Sequence, residues 1–472
     1  MYFKFHSLQV RWRQAVVPAV CLTGLNIAVA ASPESRDVPL EVLSLVQLTE
    51  LALAHSPQLQ SSHWRQQAYQ EDASLASYWP RPNLNVSMLN LPTDSLDLRQ
   101  EPMTQLQLSL SQPIPQGQTL ALSSQWRRQQ AEVEALRKQW QQAMILRQVR
   151  QHWLSVQVSY QAVGLVDHSR AELESLQKVV SSRYRYVSSS AQQTELAILA
   201  AEQEQLLDQK LLWQQQAGVA RQRLNEFLPE THWRTVLQAN EPLGLIARPD
   251  LDLHQIRHHP AIALAQLQAE SGETSVALAR EQDKPRWRLQ AAYGYRSDDA
   301  SGQERADFIS VGVGVELPWF SGNQSHHRVQ AAVNRQKADW SQLQQVKREL
   351  ASGLNQWRAE AEGLQARLER LSSHRLPLVD ARIDAAEAAY RHDNGSFTDL
   401  IQARLARLKT ELEQVQLQHR LVNARIQQMY FLTSTHSGRS RSVGYSASGN
   451  SFEDAIIQPQ TSASAKGGFH DQ

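Results

Sequence analysis

The sequence repeats itself at a spacing of about 204 residues. Four blocks recur in the same order, and the offset between aligned residues, such as Pro57 with Pro260 or Tyr184 with Tyr390, stays between 203 and 206 residues. The matched blocks are residues 51–59 with 253–262, 80–86 with 285–291, 110–118 with 315–323, and Tyr184-Arg185…Glu195-Leu196 with Tyr390-Arg391…Asp399-Leu400. A repeat of this kind indicates one structural unit that is used twice. We therefore predict a first repeat at residues 31–240 and a second at residues 241–432.

Each repeat contains two segments with the alternation of a half-buried β-strand. Residues 105–111 and 309–317 place an aliphatic side chain at every second position, with polar side chains or glycine between them. The pattern predicts strands at about 83–91 and 104–112 in the first repeat and at about 287–296 and 307–317 in the second. Acidic, turn-rich segments join the two strands of each pair, as expected for exposed loops.

The remainder of each repeat is predicted to form unusually long helices. No proline occurs between Gln116 and Leu228, and apolar positions from Val329 to Leu371 recur on average every 3.5 residues. That spacing is the period of a coiled coil. A continuous helix from Gly322 to Tyr390 would be roughly 100 Å long. Each repeat is thus expected to contain a helix, two strands, a long helix and a returning helix.

Both ends of the chain differ from the repeats. Residues 1–30 carry basic side chains, then an uncharged run that ends in Ala28-Val29-Ala30, which is the layout of a signal peptide. Cleavage there would also remove Cys21, the only cysteine. Lipidation of Cys21 is the competing interpretation. Residues 433–472 are rich in serine and glycine and are predicted to be a flexible tail.

Composition and motifs exclude several classes of protein. The 472 residues include 48 Lys and Arg against 47 Asp and Glu, so no positive surplus points to nucleic acid. No apolar run of about 20 residues follows the N-terminus, so a membrane could be crossed only by strands. We find no zinc-protease, nucleotide-loop or serine-hydrolase motif and expect no catalytic residues. The histidine pairs lack converging partners, so no metal site and no cofactor is expected.

The predicted strands have one aliphatic and one polar face, which is typical of strands between lipid and a water-filled lumen. Four strands cannot close a barrel, and open edges are not tolerated inside a bilayer. Three chains would supply twelve strands, and their helices could extend the same cylinder into the aqueous space. Glu316 would then line the lumen. The alternative is a soluble periplasmic coiled-coil scaffold whose strands pack on something other than lipid.

Over residues 40–432 the sequence resembles the TolC-like outer-membrane efflux factors. The resemblance rests on the Pro-bearing helix starts, the Pro…Gly corners between strand and helix, and the Tyr…acid-Leu turns. It implies an α+β membrane protein with two structural repeats of long coiled-coil helices plus four β-strands per chain. Three chains would form a trimeric 12-stranded β-barrel continued by a periplasmic α-helical barrel. It also implies a homotrimer in the outer membrane lipid of a Gram-negative cell, with a periplasmic adaptor (membrane fusion) protein and an inner-membrane pump as partners.

The same resemblance places the Tyr…acid-Leu turns at the periplasmic tip, where coiled coils bend inward and close the channel. The gate candidates are Tyr184, Arg185 and Glu195 in the first repeat and Tyr390, Arg391 and Asp399 in the second. The sequence departs from the family at residues 187–190, which lack the usual glycine, and at Pro377, which interrupts only the second long helix. The rival assignment is a solvated cluster at helix ends that contacts only the adaptor.

A narrower resemblance concerns the cargo. Residues 90–95 and 100–105 are similar to family members that serve heavy-metal resistance pumps of the resistance-nodulation-division class, the CusC/CzcC type. This resemblance implies the exit duct of a tripartite efflux system that exports heavy-metal ions. Drug efflux and type I protein secretion are the alternatives for an outer-membrane duct.

Overall fold

The computed structural model describes residues 42–183, 190–233, 236–237, 249, 254–317, 323–392 and 395–435. The signal peptide predicted at residues 1–30, with Cys21, lies outside these ranges, and so does the predicted tail beyond Thr435. The helices are α1 Leu45–Ala54, α2 Pro57–Leu75, α3 Thr119–Arg183, α4 Ser190–Asn225, α5 Pro260–Glu281, α6 Gln324–Arg370, α7 Leu376–Arg391 and α8 Phe397–Phe431. The strands are β1 Val42–Leu43, β2 Asn83–Leu89, β3 Gln105–Ile114, β4 Val236–Leu237, β5 Arg286–Tyr295 and β6 Phe308–Glu316.

The chain is mainly helical with one substantial sheet, which confirms the predicted fold class at this level. The sheet is antiparallel throughout, in the order β2-β3-β5-β6, so the strand pair of each repeat meets the other pair along β3 and β5. A second, minimal sheet, which the sequence did not predict, pairs β1 with β4 in parallel. Each of these two strands has only two residues, too few for a period to be recognised.

The Pro-bearing blocks form the starts of two corresponding helices. Ser56 caps α2, where its hydroxyl oxygen accepts a hydrogen bond from the backbone N–H of Leu59, and Pro57 is the first helical residue. In the second repeat His259 caps α5 and Pro260 follows it. Proline suits the first helical position because its missing N–H would have no partner there and its φ is already helical.

The long helices are held together by the apolar positions that define the coiled-coil period. Helix α3 has 65 residues, which corresponds to a length of about 100 Å. It packs against α2, α4, α5 and α8, while α8 also packs against α6 and α7. Within α6 and the turn that follows it, the buried leucines are Leu343, Leu350, Leu354, Leu364 and Leu371. These positions confirm the predicted coiled-coil face.

Pro377 marks a difference between the two predicted repeats. The helix of the second repeat changes to a π-helical turn at Leu371–Arg375, directly before α7 begins, whereas α3 continues without interruption. Proline lacks the N–H of the helical ladder, and its ring clashes with the carbonyl four residues earlier. A widened turn accommodates that residue without ending the helix. No helix in the described part of the chain is long and apolar enough to cross a membrane.

His259 joins the start of α5 to the end of α8. Its Nδ1 accepts a hydrogen bond from the Ala261 N–H at 3.1 Å, and its Nε2 lies 3.2 Å from the Tyr430 carbonyl oxygen. The ring is therefore a neutral imidazole that carries its proton on Nε2. Burial lowers the pKa of His259 to about 4, and the positive charge of Arg147 acts in the same direction.

We predict that His259 makes the stability of the fold depend on pH. The folded pKa of about 4 lies below the ordinary value of 6.5, so the stabilisation is complete above pH 6.5 and is lost as the pH falls toward 4. By pH 5 the loss should reach about 2 kcal/mol. His259→Ser, which copies the Ser56 cap, should remove this component. Thermal unfolding in detergent at pH 7.5 and pH 5 tests it, and parallel pH profiles for the two proteins would contradict the prediction.

Candidate functional site

Strand register gathers the aliphatic side chains on one face of the large sheet. Leu108, for example, lies opposite Val86 on one side and Tyr293 on the other. The face comprises Leu84, Val86, Met88, Leu106, Leu108, Leu110, Trp287, Leu289, Tyr293, Tyr295, Ile309, Val311, Val313 and Val315, all of them exposed. Ile309 and Val311 reach 80% and 81% exposure. An apolar surface this continuous indicates contact with a membrane or with another protein.

Aromatic residues lie toward both ends of this face. Trp287 is at the start of β5 and Tyr295 is at its end, eight residues further along the same face. Eight residues of strand span about 26 Å, close to the height of about 25 Å of the apolar band in outer-membrane proteins. Such proteins carry aromatic side chains at both borders of that band. The spacing therefore fits a face that contacts lipid.

The opposite face of the sheet is polar. Its side chains are mainly Asn, Gln, Ser and Gly, such as Asn85, Gln107 and Ser310. Glu316 lies on this face, 3.5 Å from the guanidinium groups of both Arg286 and Arg288. The sequence alone singled out Glu316 but not its arginine partners, because the pairing depends on the register between β5 and β6.

Two edges of the sheet remain open within the chain. Among the described residues, β2 pairs only with β3 and β6 pairs only with β5. Since every pairing is antiparallel, β2 and β6 run in opposite directions. An edge β6 could therefore pair with the edge β2 of another copy in the same antiparallel pattern.

The loop that carries the metal-pump resemblance is fastened to the corresponding loop of the second repeat. Arg296 donates to the Pro102 carbonyl at 3.0 Å, and Arg305 donates to the carbonyls of Glu101 and Arg99 at 3.2 and 3.3 Å. Asn90, in a left-handed conformation at φ 55, donates to the carbonyl of Met103 at 3.1 Å. These hydrogen bonds therefore join the two loops into one surface, at the end of the sheet away from the helices.

At the far end of the helices the structure brings the turns of the two repeats together. Leu173 and Leu199 of the first repeat share a buried cluster with Phe397 and Ile401 of the second. Tyr390 packs against this cluster, with its ring 5.5 Å from that of Phe397. Tyr184 and Arg185 lie outside the described residues.

The remaining gate candidates lie near the same cluster. Glu195 is half-buried on α4. Arg391 pairs with Glu387 of its own helix, and Asp399 is exposed in the first turn of α8, where a helix N-terminus favours a carboxylate. Among the described residues, no ion pair joins Arg391 to Asp399.

Arg404 was missed by the sequence analysis. Its guanidinium lies 3.3 Å from Glu172 of α3 and 3.6 Å from Glu387 of α7, and only 22% of its side chain is exposed. The residue therefore links the coiled coils of the two repeats near the tip. One signal was available: an arginine on the returning helix, directly after the apolar pair Leu400-Ile401 and Ala403. Of its two acidic partners, Glu387 lies on the preceding helix, whereas Glu172 belongs to α3 and is distant in sequence.

The comparisons with known proteins agree with this arrangement. Residues 255–431 match the family described as outer membrane efflux protein. The matched segment spans 177 of the 472 residues. No curated protein matches the chain. The family confirms the recognition made from the sequence, an efflux channel protein of the outer membrane and not an enzyme.

Solved structures of outer-membrane channels share the fold. The structure of CusC has a TM-score of 0.69 at 16% identity and covers 83% of this chain and 92% of its own. VceC from Vibrio cholerae has a TM-score of 0.68 at 15% identity, covering 83% and 96%. The open state of MtrE from Neisseria gonorrhoeae has a TM-score of 0.66 at 15% identity, covering 82% and 88%. At these identities the likeness establishes the fold.

No group of three or more His, Cys, Asp or Glu side chains in the described residues is arranged to hold a metal ion. His326 and His327, a pair noted in the sequence, lie side by side in the first turn of α6 with ring centroids 5.9 Å apart.

Neighbouring residues of β6 provide a test of the two faces. Val311→Arg would place a charge on the apolar face and should destabilise membrane insertion by about 2–4 kcal/mol near the bilayer midplane. Ser310→Arg, on the polar face, should leave insertion unchanged. Recovery of each variant in the outer-membrane fraction measures the effect. Equal losses for both would contradict the register, and recovery of the wild type in a detergent-free soluble fraction would favour the periplasmic scaffold.

Proposed function

We propose that three copies of this chain form the exit duct of a tripartite efflux system. The observation that carries the proposal is the exposed apolar face of a sheet whose two edge strands have no further partner among the described residues. A bilayer tolerates the apolar face but not open edges, because unpaired backbone groups find no water there. Pairing β6 of one copy with β2 of the next removes every edge and is antiparallel. Three copies would give the twelve-stranded barrel.

The two-repeat organisation, at residues 31–240 and 241–432, is part of this proposal. Its support is the recurring order of elements: α2, β2, β3, α3 and α4 in the first repeat correspond to α5, β5, β6, α6 with α7, and α8 in the second. Each repeat would contribute one strand pair to the barrel. Each would also contribute one pair of long helices to the periplasmic tube.

The partners of the duct follow from its lack of an energy source. The sequence has no nucleotide-binding motif, so an inner-membrane pump would drive transport and a periplasmic adaptor would connect the pump to the helical tube. We propose a pump of the resistance-nodulation-division class, on the resemblance of residues 90–95 and 100–105. The duct itself would be passive.

The tip would act as the gate. Tyr390 packs where the turns of the two repeats meet, and Arg404 joins helices of both coiled coils through Glu172 and Glu387. Ion pairs of this type hold helices in place yet can be exchanged. Tyr184, Arg185 and Glu195 would be the first-repeat counterparts of Tyr390, Arg391 and Asp399.

Conductance of purified trimers in planar bilayers tests the gate. Tyr390→Phe combined with Asp399→Ala should raise single-channel conductance, and Arg404→Ala should act in the same direction because it releases α8 from α3 and α7. Arg358→Gln, which breaks only a pair with Glu362 within α6, is the matched control and should conduct like the wild type. Unchanged conductance with weaker adaptor binding would move these residues to the docking surface.

Heavy-metal ions are the cargo that the loop resemblance favours, and drugs or secreted proteins are the alternatives. Deletion of the gene should increase sensitivity to copper, silver, zinc, cobalt or cadmium salts, while sensitivity to a panel of antibiotics and dyes stays unchanged. Complementation with the wild type should restore tolerance, and the Val311→Arg variant should not. Greater sensitivity to drugs alone would reassign the cargo, and no change in any sensitivity would favour secretion.

A further inference from the structure

The four strands of the large sheet contain only three charged side chains, Arg286, Arg288 and Glu316. All three lie on the polar face, and all three lie at the end of the sheet next to the helices. The rest of the polar face is uncharged. Charge on this face is therefore concentrated at one level, which we call the arginine cluster.

The arginine cluster keeps a net positive charge. Glu316 lies directly opposite Arg286 and contacts it at 3.5 Å, and it contacts Arg288 at the same distance. Two arginines and one glutamate leave a net charge of +1 per chain. The side chains are 52%, 57% and 60% exposed, so this charge faces solvent.

Nearby charged side chains do not cancel the net positive charge of the arginine cluster. Lys284 pairs with Glu281 at 2.7 Å, and Arg328 pairs with Asp283 at 3.5 Å, so these groups neutralise one another. In the first repeat Arg81 follows Pro80 as Arg286 follows Pro285, and Arg81 is exposed just before β2. Both repeats thus supply arginine at the same end of the sheet.

We infer that the arginine cluster makes the duct favour anions where the sheet meets the helical tube. The inference rests on the proposed trimer, in which three clusters would face one lumen. A ring of like charges attracts counter-ions and repels ions of its own sign over about one Debye length, which is about 30 Å at 10 mM salt. Acidic organic compounds and anionic complexes would pass this level more readily than free divalent cations, so the proposed metal cargo would pass it most readily as anionic complexes.

The ordinary role of such a cluster is mechanical, in the sense that it only stabilises the sheet. A cross-strand ion pair at the end of a sheet stabilises the pairing by a small amount without affecting what passes. The two roles differ in one respect. A mechanical role predicts the same effect from removing either partner, whereas a selective role predicts opposite effects from removing arginine and removing glutamate.

Reversal potentials of trimers in planar bilayers, in a potassium chloride gradient at low ionic strength, separate these roles. Arg286→Gln with Arg288→Gln leaves each cluster at −1 and should lower the chloride-to-potassium permeability ratio by about twofold or more. Glu316→Gln leaves each cluster at +2 and should raise that ratio. The control Arg286→Lys with Arg288→Lys preserves charge and should keep the wild-type ratio.

Each outcome bears on one claim. Opposite shifts in the two neutralised variants, with the lysine control unchanged, support the inference. Channels whose permeability ratio does not change, or changes in the same direction in both variants, overturn it while leaving the proposed duct intact. A wild-type protein that forms no channels contradicts the proposed function itself. Thermal stability of the trimers, measured in parallel, identifies variants that fail through folding.

Discussion

Backbone hydrogen bonding at the two edges of the large sheet is the constraint on which the rest of the structure depends. Strands β2 and β6 each present a row of N–H and C=O groups without a partner among the described residues. Beside an apolar face, such groups cannot be solvated by lipid. A single chain is therefore incomplete as a membrane element. The antiparallel relation of β2 to β6 makes the chain complementary to further copies of itself.

The helical part has a different structural requirement, because very long helices must be held side by side. Regular burial of leucine and other apolar residues joins α3 to α4 and α8, and α6 to α8. The two repeats achieve this with unequal regularity. Helix α3 is continuous over 65 residues, whereas its counterpart contains the π-helical turn at Leu371–Arg375. The difference lies in one residue, Pro377, and gives the second coiled coil a local irregularity that the first lacks.

Much of this architecture follows from periodicity in the sequence. Alternation at Leu106, Leu108 and Leu110 identifies a strand and its apolar face, because the period of a strand is a local property. What depends on register or on distant contacts was not predictable in the same way. Glu316 stands out in the sequence, but its pairing with Arg286 requires the register of β5 and β6. The strands β1 and β4 are too short for any period.

At the tip, as in the sheet, residues in local motifs were predicted from the sequence, whereas contacts between distant residues were not. Tyr390 and Asp399 were proposed from a motif, and the structure places Tyr390 in the cluster shared by both repeats. Arg404 was not proposed, because its link between the repeats depends on Glu172, which belongs to α3 and lies far away in sequence. Tyr184 and Arg185 lie outside the described residues, so their place at the tip stays a prediction from the sequence motif.

The contact between His259 and the end of α8 has a consequence for how such a chain could arise. The His259 ring meets the Tyr430 carbonyl, and the N–H of Thr435 donates to the His258 carbonyl at 2.9 Å. The segment from His258 to Thr435, which makes up most of the proposed second repeat, thus begins and ends at the same place. A unit whose two ends touch can be copied in tandem at the gene level with only a short connecting segment, because the new copy starts where the old one stops. Duplication of an ancestral half-length chain then requires no rearrangement of either strands or helices.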